Sequence, residues 1–225
     1  MKLSIYPSIL NADHDNMQSE FDRVAVPGGA DGIHLDIMDG KFVEPVTFDL
    51  ATIERYTAMC ELPFDAHLMI VEPEKHADNY IEAGASSVTF HIETASDPEG
   101  LIDHLHSRGV GAGVSINPDT GPEGVIRLAD RVDLVLFMSV FPGYGGQEFI
   151  GPVLEKVRAL KRHCVERGLD PMIQIDGGIN LETAPRAVAA GVNNLVAGTF
   201  IFRSPDYKAT IEALRQACAA AEPDY

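Results

Sequence analysis

Two aspartates, Asp36 in Gly32-Ile-His-Leu-Asp-Ile-Met-Asp-Gly40 and Asp176 in Ile173-Gln-Ile-Asp-Gly-Gly178, each stand where a strand-like apolar run gives way to glycine. His34 lies two residues before Asp36, and a third such run carries His67. Side chains on a strand alternate faces, so His34 and Asp36 share one face while Ile33, Leu35 and Ile37 take the other. Two imidazoles and two carboxylates can therefore converge. A set made of His34, Asp36, His67 and Asp176 can hold one borderline divalent metal, Zn²⁺, Fe²⁺, Mn²⁺ or Co²⁺, with positions left for substrate oxygens. Asp36 and Asp176 are also two candidate acid/base groups. Met38 and Met69 follow two residues behind Asp36 and His67 on the same faces, and Met138 ends a later run. They suit either gap-filling core or a polarizable, water-poor lining around developing charge.

These residues need elements to position them. Short β-branched runs alternate with longer amphipathic segments, the pattern of βα units and a parallel sheet. Strands are expected near residues 3–9, 32–37, 64–69, 87–91, 111–116, 133–138, 172–176 and 194–198. Helices are expected over Pro73–Ala83, Gln147–Arg167, Leu181–Ala190 with Gly191 as its stop, and Pro205–Ala221. Eight strands point to an α/β fold closed as a (β/α)₈ TIM barrel, a single domain over residues 1–225. Periodicity alone also permits a doubly wound open sheet. Every candidate falls at a strand's C-terminal end, Ser8 on the first run included, and that end carries the active site in such barrels. Buried carboxylates there need a cation or hydrogen bonds to compensate them.

Glycine-rich loops follow the last three strands: Pro142-Gly-Tyr-Gly-Gly-Gln147, Asp176-Gly-Gly-Ile179 and Ala197-Gly-Thr-Phe200. Glycine lets backbone N–H groups close on an anion, and the loops after the seventh and eighth strands are the recurrent phosphate site of this barrel. No lysine or arginine is required.

With 45% hydrophobic and 23% charged residues, the 225-residue chain reads as an ordinary soluble globular protein. A formal charge of −17 without a basic patch argues against nucleic acid and anionic membranes as partners. Cys60, Cys164 and Cys218 are few and scattered, which fits reduced thiols in a cytoplasm. The start, Met1-Lys2-Leu3-Ser4-Ile5-Tyr6-Pro7, lacks the apolar stretch of a signal peptide. A cytoplasmic protein is expected. His14, His76, His104, His106 and His163 fall in expected loops or helices and read as solvated, and His91 reads as lining the barrel or as a hydrogen-bonded structural residue.

The chain resembles the ribulose-phosphate 3-epimerase family over nearly its whole length. The resemblance rests on Tyr6-Pro-Ser-Ile-Leu10, His34-Leu-Asp-Ile-Met-Asp-Gly-Lys-Phe-Val43, Asp65-Ala-His-Leu-Met69, Asn117-Pro-Asp-Thr120, Pro142-Gly-Tyr-Gly-Gly-Gln147 and Asp176-Gly-Gly178. It implies a (β/α)₈ barrel, one divalent metal held by His34, Asp36, His67 and Asp176, and a small-molecule ketose phosphate substrate. It implies substrate contacts from Ser8, His67, Gly143, Tyr144, Gly145, Gly146, Asp176, Gly177, Gly178, Gly198 and Thr199. The implied reaction is interconversion of D-ribulose 5-phosphate and D-xylulose 5-phosphate, with Asp36 and Asp176 moving protons at C3 on opposite faces. Homo-oligomerisation is compatible with the reading.

Some positions depart from the family pattern. Glu44-Pro45-Val46-Thr47 stands where Pro-Asn usually opens the segment, Asn11 replaces a serine, Tyr144 replaces a phenylalanine, Phe141 precedes Pro142, and Gly198-Thr199 replaces Gly-Ser. They admit a different ketose phosphate, such as D-allulose 6-phosphate. Decarboxylases on related barrels use Asp-x-Lys-x-x-Asp, and here Met38 stands in the lysine position of Asp36-Ile-Met-Asp39. A non-catalytic sugar-phosphate-binding barrel would have no use for two acids.

Overall fold

The computed structural model describes residues 3–25 and 29–225, so Met1 and Lys2, where the N-terminal reading begins, lie outside the described residues. Eight strands run β1 (Ser4–Tyr6), β2 (Ile33–Met38), β3 (Phe64–Met69), β4 (Ser87–His91), β5 (Gly111–Ile116), β6 (Leu134–Met138), β7 (Met172–Asp176) and β8 (Asn194–Val196). All pair in parallel in the order β1-β8-β7-β6-β5-β4-β3-β2. A thinner seam joins β1 to β2, where Ser8 bridges His34, the His34 N–H donates to the Pro7 carbonyl at 3.0 Å and the Asp31 N–H to the Ile5 carbonyl at 3.0 Å. The result is a (β/α)₈ barrel, not an open doubly wound sheet.

Nine α-helices are seen among the described residues: α1 (Met17–Val24), α2 (Leu50–Met59), α3 (Ala77–Glu82), α4 (Pro98–Ser107), α5 (Glu123–Leu128), α6 (Val153–Arg167), α7 (Thr183–Ala189), α8 (Thr199–Phe202) and α9 (Tyr207–Cys218). Aspartates start several of them. Asp49 accepts from the Thr52 N–H of α2, Asp97 from the Gly100 N–H of α4, and Asp206 from the Ala209 N–H of α9, satisfying donors that the first helical turn leaves free.

Register explains the site's position. In a parallel sheet, paired residues face the same way, so the pairs Asp36↔His67, His67↔Thr89, His91↔Ser115, Ser115↔Leu136 and Leu136↔Gln174 belong to the barrel interior. Their neighbours Ile33, Leu35, Ile37, Ala66, Leu68, Val88 and Phe90 face outward into the main apolar core beneath the helices. Burial on both faces is why the strands read as near-continuous apolar runs. The small interior apolar cluster of Leu134, Leu136, Met138 and Val140 fills the β6 side.

Helix boundaries differ from expectation where side chains intervene. The expected Gln147–Arg167 helix begins only at Val153, because the Gln147 side-chain amide folds back onto the Phe141 and Tyr144 carbonyls at 2.7 and 2.9 Å and holds the glycine loop together. The Pro73–Ala83 helix is split into a 3₁₀ turn over Pro73–Lys75 and α3, with His76 at φ −122° between them. The Leu181–Ala190 helix starts late, at Thr183, since the Asn180 side chain accepts from the Glu182 and Thr183 N–H groups. The closing helix is likewise shorter than Pro205–Ala221. The first strand stops at Tyr6 because Pro7 has no N–H to extend the ladder, and Ser8 instead caps the 3₁₀ turn Ile9–Asn11.

Candidate active site

The ends of β2, β3 and β7 bring His34, Asp36, His67 and Asp176 together, with one potential ligand atom from each lying within 4.8 Å of every other. Asp36 Oδ1 is 3.5 Å from His34 Nε2 and 3.4 Å from His67 Nδ1, and the two ring nitrogens are 3.3 Å apart. Ligands about 2.0–2.1 Å from a tetrahedral ion lie about 3.3–3.4 Å from one another, so this spacing fits a divalent cation among nitrogen and oxygen donors. Of these four residues, Asp36 and Asp176 line a cleft at the barrel mouth. His34 and His67 are wholly buried below it.

The four groups do not titrate alike. Burial opposes ionisation of Asp36, but hydrogen bonds from His34 and His67 overcome it and hold the carboxyl well below the usual carboxylate range. Asp176 has no such partners: burial first, then the charge of Asp36, push it up to about 7. Burial lowers His67 to about 4, whereas His34, buried as deeply, is raised by its bonds to Asp36 and Asp65. One acid is thus biased toward the ionised form and the other toward the protonated form. The Ser8 hydroxyl donates to Asp36 Oδ2 at 2.5 Å, and Thr47 donates to the Asp36 carbonyl at 2.6 Å while accepting from the Met38 N–H, which fixes the end of β2.

Asp65 is a supporting residue that motif reading passed over. Its Oδ2 faces His34 Nδ1 at 3.1 Å, and its Oδ1 accepts from the Ser87 and Thr89 hydroxyls at 2.9 and 2.8 Å. A carboxylate there keeps the His34 proton on Nδ1 and turns the Nε2 lone pair toward the cluster. A signal existed in its position two residues before His67, on the same face. Asp65→Asn is expected to weaken zinc binding by about 10–100-fold, measured by competition with a chromophoric chelator. Asp39 has a different task, ordering the loop by accepting from the Lys41, Phe42 and Val71 N–H groups.

Met38, Met69 and Met138 also line the cleft and are buried. Ser8, Gly143, Tyr144, Gly145, Gly146, Gly177, Gly178, Gly198 and Thr199 border it as well, whereas His67 does not. Gly177 and Gly178 have φ of 118° and 63°, and a Cβ on Gly178 would sit 2.8 Å from the Phe149 nitrogen, so the backbone itself forms the wall. Two of the departures touch: the Thr199 hydroxyl donates to Asn11 Oδ1 at 2.8 Å, and that same oxygen fills the space a Cβ on Gly145 would need. Glu44 is exposed and does not line the cleft. Among the remaining histidines, His14 lies beside the Tyr56 hydroxyl, and His104 and His106 pair with Asp78 and Asp133.

A closed parallel barrel whose strand ends carry a buried acid, a half-buried acid, two imidazoles and a ring of glycine loops defines the class: a (β/α)₈ barrel with a candidate active site at the C-terminal ends of its strands. The chain belongs to the ribulose-phosphate 3-epimerase family, whose model matches residues 4–202. It is 42% identical over 217 residues to a ribulose-phosphate 3-epimerase of Mycobacterium bovis, covering 96% of this chain and 93% of that one. It is 41% identical over 214 residues to the enzyme of that name from Bacillus subtilis, covering 95% and 98%. Among solved structures, 3-hexulose-6-phosphate synthase from Salmonella typhimurium superposes with a TM-score of 0.70 at 16% identity, over 99% of this chain and 100% of that one. At that identity the likeness shows the fold alone. Among the described residues no helix is long and apolar enough to cross a membrane.

Proposed function

We propose that this protein is an isomerase that interconverts D-ribulose 5-phosphate and D-xylulose 5-phosphate, acting in the cytoplasm through proton transfer at C3 between two acids. The observation that carries the reading is the opposed bias of Asp36 and Asp176, a buried and a half-buried carboxyl in one cluster at the ends of β2 and β7. Relatives about 40% identical over nearly the full chain bear the name of this reaction.

A proton beside a ketone is weakly acidic, and removing it leaves an enediolate whose charge must be stabilised as it forms. Asp36, held ionised, takes the C3 proton from one face. Asp176, protonated, gives a proton to the other, so the configuration inverts. In the reverse direction the roles exchange. Because the two acids share one cluster, their titrations are coupled and belong to the pair. Ser8 fixes the rotation of the Asp36 carboxylate, and the three methionines keep water from the reacting face. His34, Asp36, His67 and Asp176 would hold one divalent cation, with Zn²⁺, Fe²⁺, Mn²⁺ and Co²⁺ all suited to two nitrogens and two oxygens. When bound, that ion supplies Lewis acidity toward the ketose oxygens. Backbone N–H groups of Gly145, Gly146, Gly177, Gly178, Gly198 and Thr199 would cradle the phosphate, where glycine permits close approach.

The names of the relatives about 40% identical favour the pentulose over a hexulose phosphate, and Glu44, one of the departures from the family pattern, lies outside the cleft. Cation-loaded protein incubated in heavy water with a panel of ketose phosphates should take up deuterium at C3 of D-ribulose 5-phosphate fastest, followed by NMR. Faster uptake into a six-carbon ketose phosphate would replace the substrate assignment, and uptake into none of the panel would remove the activity.

A further inference from the structure

Beyond the four donors, the barrel interior contains a line of hydrogen bonds that neither the family resemblance nor the proton-transfer chemistry accounts for. It begins at His67 and ends on the Asn117-Pro-Asp-Thr120 segment, a sequence motif left without a task. His67 Nε2 lies 2.9 Å from His91 Nε2, and the two rings stack with centroids 5.0 Å apart and planes 25° from parallel. His91 is fully buried at the end of β4. Its Nδ1 lies 3.2 Å from Glu93 Oε2. The other Glu93 oxygen, Oε1, accepts from the Asn117 N–H at 2.7 Å and from the Thr120 hydroxyl. The Lys156 ammonium donates to the carbonyls of Pro118 and Thr120 and braces that turn.

We propose that Glu93 and the Asn117–Thr120 turn act through His91 to set the ring tautomer of His67, which makes His91 and Glu93 positioning residues for the donor cluster. The inference rests on reading that cluster as a cation site. Proton counting gives the direction. For His67 to present a lone pair at Nδ1, the nitrogen that faces Asp36 and His34, its proton must sit on Nε2. Only one proton fits between the two Nε2 atoms, so His91 must accept there and carry its own proton on Nδ1. That proton needs an acceptor. Glu93 is one, because a carboxylate only accepts, and its far oxygen is committed to two donors from the Asn117–Thr120 turn. Both imidazole bonds therefore point outward from the cluster, the two bonds from the turn point inward, and the two sets meet at the Glu93 carboxylate. The arrangement parallels Asp65 behind His34 but is one imidazole longer.

Glu93→Gln tests this with little change of shape. The Asn117 N–H, which can only donate, requires an oxygen at the Oε1 position, so the new amide NH₂ must face His91 Nδ1. His91 would then accept at Nδ1 and donate from Nε2, and His67 would have to move its proton to Nδ1, where it blocks ligation. Glu93→Ala instead leaves space for a water that can accept from Nδ1–H. Zinc affinity should fall by about 10–100-fold in Glu93→Gln and by less in Glu93→Ala, read by competition with a chromophoric chelator. A packing role predicts the opposite order. Long-range ¹H–¹⁵N spectra of the zinc-loaded parent protein should place the His91 proton on Nδ1. Glu93→Gln binding zinc as the parent does, Glu93→Ala proving the weaker binder, or a His91 proton on Nε2 would each overturn the inference. A parent protein that does not bind zinc would overturn the cation reading and the inference with it, whereas a fault in the inference alone shows only in the variants and the His91 spectrum.

Discussion

Asp36→Asn and Asp176→Asn should each lower turnover by about 10³-fold or more, with much smaller changes in KM, because an amide of the same shape can neither take nor give the C3 proton. The two variants differ in stability. Asp176 has a folded-state pKa of about 7 against an ordinary value of 3.8. A group raised in this way supports the fold fully below its unfolded pKa, and that support is lost as pH rises through the folded value. At pH 8 the cation-free protein therefore carries a poorly solvated charge at this position, beside the Asp36 carboxylate. Asp176→Asn removes it, and should raise the Tm of cation-free protein at pH 8 by several degrees while giving no gain near pH 4, since 1 kcal/mol corresponds to about 2–4 °C at this size. Asp36 is held low instead, so Asp36→Asn forfeits bonds from both imidazoles and Ser8 and should lower Tm at pH 8. Thermal denaturation at the two pH values checks both signs.

Cation removal is the second large effect. Stripping with a chelator should cost at least about 10²-fold in turnover, because a Lewis acid at a forming enediolate is worth several kcal/mol. Readdition should restore it. The same electrostatics governs binding: Asp176, raised to about 7, and His34, raised by Asp36 and Asp65, carry protons in the cation-free cluster that must leave before the donors can ligate. Affinity should thus rise by about tenfold per pH unit for each proton displaced between pH 6 and 7, and protein held at limiting cation should lose activity as the pH is lowered. Calorimetric titration in two buffers of different ionisation heat measures the protons released. A value of zero would mean that the four groups are not the ligands.

The donors were legible because strand periodicity is strict: His34, Asp36 and Met38, and likewise His67 and Met69, fall on one face by count alone, and the register places that face inside the barrel. Strands buried on both faces were equally plain, which is why most strand limits match to within a residue or two. Helix starts were not legible, since Gln147 and Asn180 move them by bonds to backbone groups that no periodicity encodes. Nor were the supporting residues. Asp65, Glu93 and Thr120 look like ordinary polar residues in sequence, and their importance comes from the three-dimensional neighbours that share their hydrogen bonds. The contact between Asn11 and Thr199 is of the same kind: two departures from the family pattern, far apart in the chain, that meet across the β1 and β8 ends.

Two acids on opposite faces of the substrate make one demand that a single acid, or a passive sugar-phosphate binder, cannot meet. Cation-loaded Asp36→Asn and Asp176→Asn should each be incubated in heavy water with pure D-ribulose 5-phosphate and with pure D-xylulose 5-phosphate, and deuterium at C3 followed by NMR. Each variant should exchange the C3 proton of one epimer without inverting it, and the two variants should choose opposite epimers. Exchange of the same epimer by both variants, or of both epimers by either, would contradict the assignment of Asp36 and Asp176 to opposite faces.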